Sequence, residues 1–150
     1  MDSSVRLADY FYIEVPERAG EGARVLAQVR DTGVNLLAFS GFPAGRRAQL
    51  DFVPVDPAAF RAAAKKAGLK LTGPKKVFLI QGEDRMGVMA DLLGRLADAK
   101  ISVISSQAIC AGAGRFGGLL WVAPRDVKRA AKALGAKQSP VGKSVPLQIW

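Results

Sequence analysis

The chain has 150 residues, with 22 lysines and arginines against 13 aspartates and glutamates and a formal net charge of +9 at pH 7. Its hydrophobic content of 49% is that of an ordered globular protein, which excludes a largely disordered chain, and no apolar run is long enough to span a bilayer. The absence of histidine excludes Ser–His and Cys–His catalysis and the commonest zinc ligand, while Cys110, the single cysteine, permits no intramolecular disulfide and is expected to be a buried thiol.

The N-terminus and the distribution of charge indicate where the protein works. Met1 to Arg6 lack the basic start and the apolar stretch of a signal peptide, so we expect a cytoplasmic protein. The lysines and arginines are dispersed over turns and polar helix faces. This dispersion favours a solvated surface over a nucleic-acid-binding patch.

In chain order, the first half of the sequence predicts two helices among four short strands. Strand-forming residues predict strands over 10–15, 34–39, 48–55 and 69–72. Apolar spacing and an alanine-rich run predict helices over 23–32 and 58–67. A turn over 16–22 leads into the first helix, and a break over 40–45 follows the second strand. Gly73-Pro74 is expected to be the hinge to the second half.

The second half repeats this order. Strands are predicted over 76–81, 101–109, 116–123 and 143–150, and helices over 88–99 and 124–134. Matching residues recur at a constant spacing without a gap: Phe11 with Phe78, Arg18 with Arg85, Gly20 with Gly87, Pro57 with Pro124, and Gly68 with Gly135. We interpret this as an internal repeat, with one domain over 1–73 and the other over 74–150.

Each repeat therefore has the order strand–helix–strand–strand–helix–strand. This is the ferredoxin-like, split βαβ arrangement, in which helices cover one face of an antiparallel sheet. The predicted fold class is α+β, with two such repeats.

The turn before the first helix of each repeat is the main candidate for function. In the second repeat, Glu83-Asp84-Arg85-Met86-Gly87 joins a strand to an amphipathic helix, and Gly87 lies where the helix begins. Backbone N–H groups at a helix start attract anions such as a carboxylate, and glycine lets a ligand approach the backbone closely. The first repeat has the same arrangement at Gly20.

With these turns, and with Val34-Asn35-Leu36 after the first helix, the sequence resembles a tandem pair of ACT domains over nearly its whole length. The resemblance implies a regulatory protein that binds a small ligand, most often a free amino acid. It also implies that domains pair side by side in a homodimer or higher homo-oligomer, with the ligand at the interface between paired domains. A regulated partner protein is expected to receive the signal.

By position, the resemblance implies ligand-binding residues in both repeats. In the first repeat they are Glu17, Arg18, Ala19, Gly20, Glu21 and Gly22, with Asn35 and Leu36 at the entry of the second strand. In the second repeat they are Asp84, Arg85, Met86, Gly87 and Val88, with Ser102 and Val103. Because Ser102 replaces the asparagine, three alternatives stay open for the second pocket: weak binding, a different ligand or no ligand.

Other classes of function have less support. Nothing positions a nucleophile or a metal beside the acidic residues, Gly142-Lys143-Ser144 lacks the upstream glycine of a phosphate-binding loop, and Gly112–Gly118 lacks the dinucleotide fingerprint. We therefore expect no catalysis, no metal and no cofactor. An oligomerisation module without a ligand and a basic nucleic-acid-binding protein remain as alternatives, although the middle strands lack clustered basic and aromatic residues.

Overall fold

The structure is a computed structural model that describes residues 4–138. The closing strand predicted over 143–150 lies outside the described residues. The elements are β1 (Ser4–Pro16), α1 (Glu21–Asp31), β2 (Leu36–Ala44), β3 (Arg47–Pro54), α2 (Pro57–Lys66), β4 (Thr72–Glu83), α3 (Val88–Asp98), β5 (Val103–Gly112), β6 (Arg115–Val122), α4 (Val127–Leu134) and β7 (Lys137–Gln138), with a 3₁₀ turn over Pro124–Asp126.

The chain forms two compact units, and the boundaries between them lie within β1 and within β4. We call Asp9–Lys75 the first unit, and the described parts of Met1–Ala8 and Lys76–Ser139 the second unit. This grouping assigns the start of β1 to the second unit, whereas the predicted limits of 1–73 and 74–150 place all of β1 in the first domain. Those limits stay a prediction.

In the first unit the strand order is β2-β3-β1-β4, and α1 and α2 supply apolar side chains to one core. β3 is antiparallel to both of its neighbours, so that Phe52 lies opposite Phe11 on one side and Phe39 on the other. The ring of Phe60 from α2 packs 5.6 Å from that of Phe11 and 5.7 Å from that of Phe52. Each such buried side chain contributes roughly 1.5–3 kcal/mol, which makes this aromatic cluster the centre of the unit.

The second unit has the strand order β5-β6-β4, followed by the start of β1, and β7 pairs in parallel with β1. Phe78 and Ile80 of β4 pack with Leu92 and Leu96 of α3 and with Leu120 of β6 in a core of its own. The predicted α+β class with βαββαβ units is confirmed.

The repeat is visible in the two cores, but the predicted absence of gaps is wrong. Phe11 lies opposite Phe52 in the first unit, whereas Phe78 lies opposite Leu120, one residue further along than a constant spacing requires. The extra residue is accommodated by an irregularity of β5 between Cys110 and Gly112. Periodicity alone does not detect such a bulge, because it changes the pairing of a strand without changing its residue types.

The predicted hinge at Gly73-Pro74 lies inside β4, which runs without a break from Thr72 to Glu83. Gly73 has a φ of +128°, and a Cβ atom there would lie 2.9 Å from the backbone oxygen of Tyr10. The glycine therefore allows close approach of β4 to β1, and is not a sign of flexibility.

The break expected over 40–45 is likewise part of a strand, since β2 continues to Ala44 and pairs with β3 as far as Arg47. Among the described strands β2 pairs only with β3, and an edge position tolerates Pro43. The hairpin is closed at Gly45, whose φ is +63°.

Candidate functional site

The first-unit turn links the end of β1 to the start of α1. Arg18 N donates to Pro16 O at 2.9 Å, and Gly20 is the N-cap with a left-handed φ of 91°. Arg24 N donates to Gly20 O at 2.9 Å as the first helical bond. No side chain caps α1. Glu21 N donates to Arg18 O at 3.3 Å, so the following N–H groups of the first turn, at Gly22 and Ala23, are the donors suited to an anionic group.

A cavity of about 210 Å³, open to solvent, lies between this turn and the start of β3. It forms there because Val15 of β1 is opposite Ala48 of β3, and a methyl side chain leaves the space under the turn unfilled. The lining residues are Val15, Pro16, Glu17, Arg18, Ala19, Glu21, Gly22, Ala48 and Leu50. Ligand pockets commonly measure about 300–1,000 Å³, so this cavity suits a small metabolite.

Glu21 is a charged residue of the cavity lining. Its carboxylate accepts hydrogen bonds from Arg24 at 2.8 Å and from Arg18 at 3.2 Å. The hydrogen bond from Arg24 is the largest cause that holds the pKa of Glu21 below its usual range, and Arg18 acts in the same direction. The side chain of Arg18 is 70% exposed, so its guanidinium can turn from Glu21 towards a ligand at small energetic cost.

Five of the eight residues predicted for the first repeat line the cavity, namely Glu17, Arg18, Ala19, Glu21 and Gly22. Gly20, Asn35 and Leu36 do not. The carbonyl of Asn35 accepts a hydrogen bond from Val55 N at 3.0 Å, and the side chain of Leu36 is buried in the core. A ligand contact by Leu36 would therefore be made by its backbone.

Four cavity residues were missed by the sequence reasoning: Val15, Pro16, Ala48 and Leu50. The alternation of the predicted third strand places Ala48 and Leu50 on one face. Only the register of β3 against β1, with Val15 opposite Ala48, shows that this face meets the turn.

In the second unit the turn is fixed to the β5–β6 hairpin. Asp84 N donates to Gly114 O at 2.8 Å, and the Cys110 thiol donates to Asp84 Oδ2 at 3.3 Å. Arg85 forms an ion pair with Asp91 at 2.9 Å, and the Met86 side chain is exposed. Asp84 is therefore engaged with the hairpin and Arg85 with α3.

The remaining predicted positions of the second repeat are spread over the helix start and the entry of β5. Gly87 is the left-handed N-cap of α3, with a φ of 81°. Val88 is buried in the core, and Val103 packs against it. Ser102 is exposed just before β5.

The expectation that Cys110 is buried is wrong, since it is exposed on β5. The hydrogen bond to Asp84 is the largest cause that raises the pKa of the Cys110 thiol. The group therefore remains a thiol at neutral pH.

No protein-family model and no curated protein matches the sequence. Among solved structures, protein BT0572 from Bacteroides thetaiotaomicron is 17% identical, with a TM-score of 0.73 over 87% of this chain and 88% of that chain. The aspartokinase alpha and beta subunits are 16% identical, with a TM-score of 0.58 over 89% and 95% of the two chains. The ligand-free regulatory subunit of aspartate kinase from Thermus thermophilus is 13% identical, with a TM-score of 0.60 over 90% and 95%.

The chain has the fold of ACT-type regulatory domains. This confirms the fold that the resemblance implied. At such low identities the likeness concerns the fold alone, so the site of this chain must be argued from its own residues.

Within residues 4–138, no cluster of three or more carboxylate or thiol side chains is arranged to hold a metal ion. The described helices are also too short and too polar to cross a membrane.

Proposed function

We propose that this protein is a regulatory protein, and not an enzyme, that binds a small ligand of the size of a free amino acid at the first-unit turn. The observation that carries the proposal is the cavity of about 210 Å³, lined by five of the predicted ligand-binding residues together with residues of β1 and β3. The names of the neighbouring structures favour the same class, since one of them is a regulatory subunit.

A zwitterionic ligand fits the chemistry of the cavity. Its carboxylate would accept from the N–H groups at the start of α1 and from the guanidinium of Arg18. Its ammonium would pair with the carboxylate of Glu17, while Glu21 stays neutralised by Arg24. Its side chain would lie against the apolar lining from Val15, Ala48 and Leu50, which would set selectivity.

The open side of the cavity supports binding at an interface between paired copies, because a second surface would remove the ligand from water. β5 is a candidate surface for self-association, because none of its ten residues has a charged side chain. Ile104 and Ile109 on this strand are 66% and 72% exposed. Edge strands usually carry charge or proline against pairing, so β5 is the surface through which we propose that copies associate, in addition to the contact that would close the cavity.

The remaining predicted positions of the first repeat do not line the cavity and belong to the proposal in other ways. Gly20 would act through its backbone, and Asn35 and Leu36 would contact a ligand only across a pair of copies. The site would transmit its occupancy to a regulated partner protein through a change of assembly.

A thermal-shift screen against the twenty free amino acids tests this function. Binding to the native state raises the unfolding temperature, and a free ligand at 100 times its Kd adds about 2.7 kcal/mol. We expect a rise with one amino acid or a few chemically related ones, and a smaller rise in the Arg18→Ala variant. The matched control is Arg95→Ala, an exposed arginine on α3 outside the cavity.

A flat screen would contradict ligand binding. If the protein then still forms a stable oligomer, the exposed uncharged strand β5 supports the second candidate, an oligomerisation module whose turns bind nothing.

A further inference from the structure

The two units differ at the place where the cavity lies. In the first unit Val15 is opposite Ala48, and Ile13 is opposite Leu50. In the second unit the equivalent pairs are Gly82 with Phe116, and Ile80 with Gly118. Phe116 therefore occupies the position of Ala48, and Gly118 that of Leu50.

The helix start differs at the same place. α1 begins with Glu21, whereas α3 begins with Val88. Val88 is 6% exposed and Phe116 is 5% exposed, and both belong to the core of the second unit. Thus two apolar side chains pack where the first unit has a methyl group and a carboxylate.

The wall formed by Leu50 has no equivalent in the second unit either. A Cβ atom at Gly118 would lie 2.8 Å from the backbone oxygen of Gln107, so a larger side chain there requires β5 to move. Phe116 is the buried aromatic side chain at this end of the β4–β6 pair. The hydrogen bonds from Asp84 N to Gly114 O and from the Cys110 thiol to Asp84 connect the turn to the β5–β6 hairpin.

We infer that each chain binds one ligand molecule, in the first unit, and that Ala48 sets the depth of its cavity. The second unit keeps the fold of the repeat as a packed structural copy. The inference rests on the proposed function, and it resolves the three alternatives left open for the second pocket in favour of no ligand there.

Isothermal titration calorimetry with the amino acid that gives the largest thermal shift tests this inference. We expect one ligand per chain for the unaltered protein. Ala48→Phe, which copies the second unit, should weaken binding roughly tenfold or more, since a single methylene in an apolar pocket changes discrimination by about 10–200-fold. Ala48→Val should weaken it less.

The matched control is Ala58→Phe, which adds the same side chain to an exposed position of α2 and should leave the affinity unchanged. Met86→Ala in the second-unit turn should also leave it unchanged. Circular dichroism establishes that each variant is folded. If Ala48→Phe fails to fold, the stoichiometry of the unaltered protein and the Ala48→Val variant still decide.

Two ligands per chain, or full affinity in a folded Ala48→Phe or Ala48→Val variant, would overturn the inference while leaving the proposed function intact. A protein that binds none of the amino acids would instead contradict the proposed function itself, so the two failures are distinct.

Discussion

Replacing Gly73 by alanine should destabilise the first unit severely. Gly73 has a φ of +128°, and the added Cβ would lie 2.9 Å from the Tyr10 oxygen and 3.1 Å from the Phe11 ring. A residue in a sparsely populated backbone region costs about 1–3 kcal/mol. Overpacking against neighbours that cannot move adds about 1–3 kcal/mol. The variant should therefore lose roughly 2–6 kcal/mol, out of the 5–15 kcal/mol typical of a domain.

Urea unfolding followed by circular dichroism measures this loss, provided that the dependence of the unfolding free energy on urea stays unchanged. The matched control is Gly33→Ala, whose φ of +77° is also left-handed but whose Cβ would meet nothing within 4 Å. It should lose only about 1–2 kcal/mol. Equal losses of unfolding free energy in the two variants would refute the close approach of β4 to β1. A Gly73→Ala variant of unchanged stability would support a flexible hinge at this position.

Three further predictions concern charge and assembly. Because Arg24 holds the pKa of Glu21 below its usual range, the stabilisation from that carboxylate is present above the unfolded value of about 4.3 and is lost as the pH falls through the lower folded value. Glu21→Gln should therefore lower the unfolding temperature more at pH 7 than at pH 3, and an equal effect at both pH values would contradict this. Burial raises the pKa of Asp51, so the charged form of this side chain opposes folding at neutral pH. Asp51→Asn should therefore raise the unfolding temperature at pH 7, and this gain should shrink at acidic pH because the native aspartate is then protonated. A lower unfolding temperature of Asp51→Asn at pH 7 would show that the charge is stabilising. Ile109→Lys on β5 should shift the protein towards monomer in sedimentation velocity. Met86→Lys, which alters a still more exposed side chain outside the strand, should not. An unchanged oligomer in Ile109→Lys would exclude β5 as the interface.

The order of elements could be predicted from the sequence because periodicity and glycine placement are local signals. Val25 and Val29 on α1 and Leu92 and Leu96 on α3 are spaced for one buried helical face, and they are buried in their units. The failures lie where a neighbouring strand decides. Gly73 is typical of a hinge by residue type, but it serves the contact with β1.

The candidate site was partly predictable for the same reason. The turn residues Glu17 to Gly22 are contiguous in the chain, so their motif marks them. Ala48 and Phe116 are distant from the turns in sequence, and their equivalence depends on strand register and on the bulge in β5. Whether a repeat is open or filled at this place is therefore a property of the paired strands and not of the motif.

The most direct test of the account is an NMR titration of the ¹⁵N-labelled protein with the amino acid that raises its unfolding temperature most. Amide shifts should change at Gly20, Gly22 and Ala48, around the cavity of the first unit. Shifts that change instead at Asp84 to Val88, or that do not change at all on saturation, would contradict it.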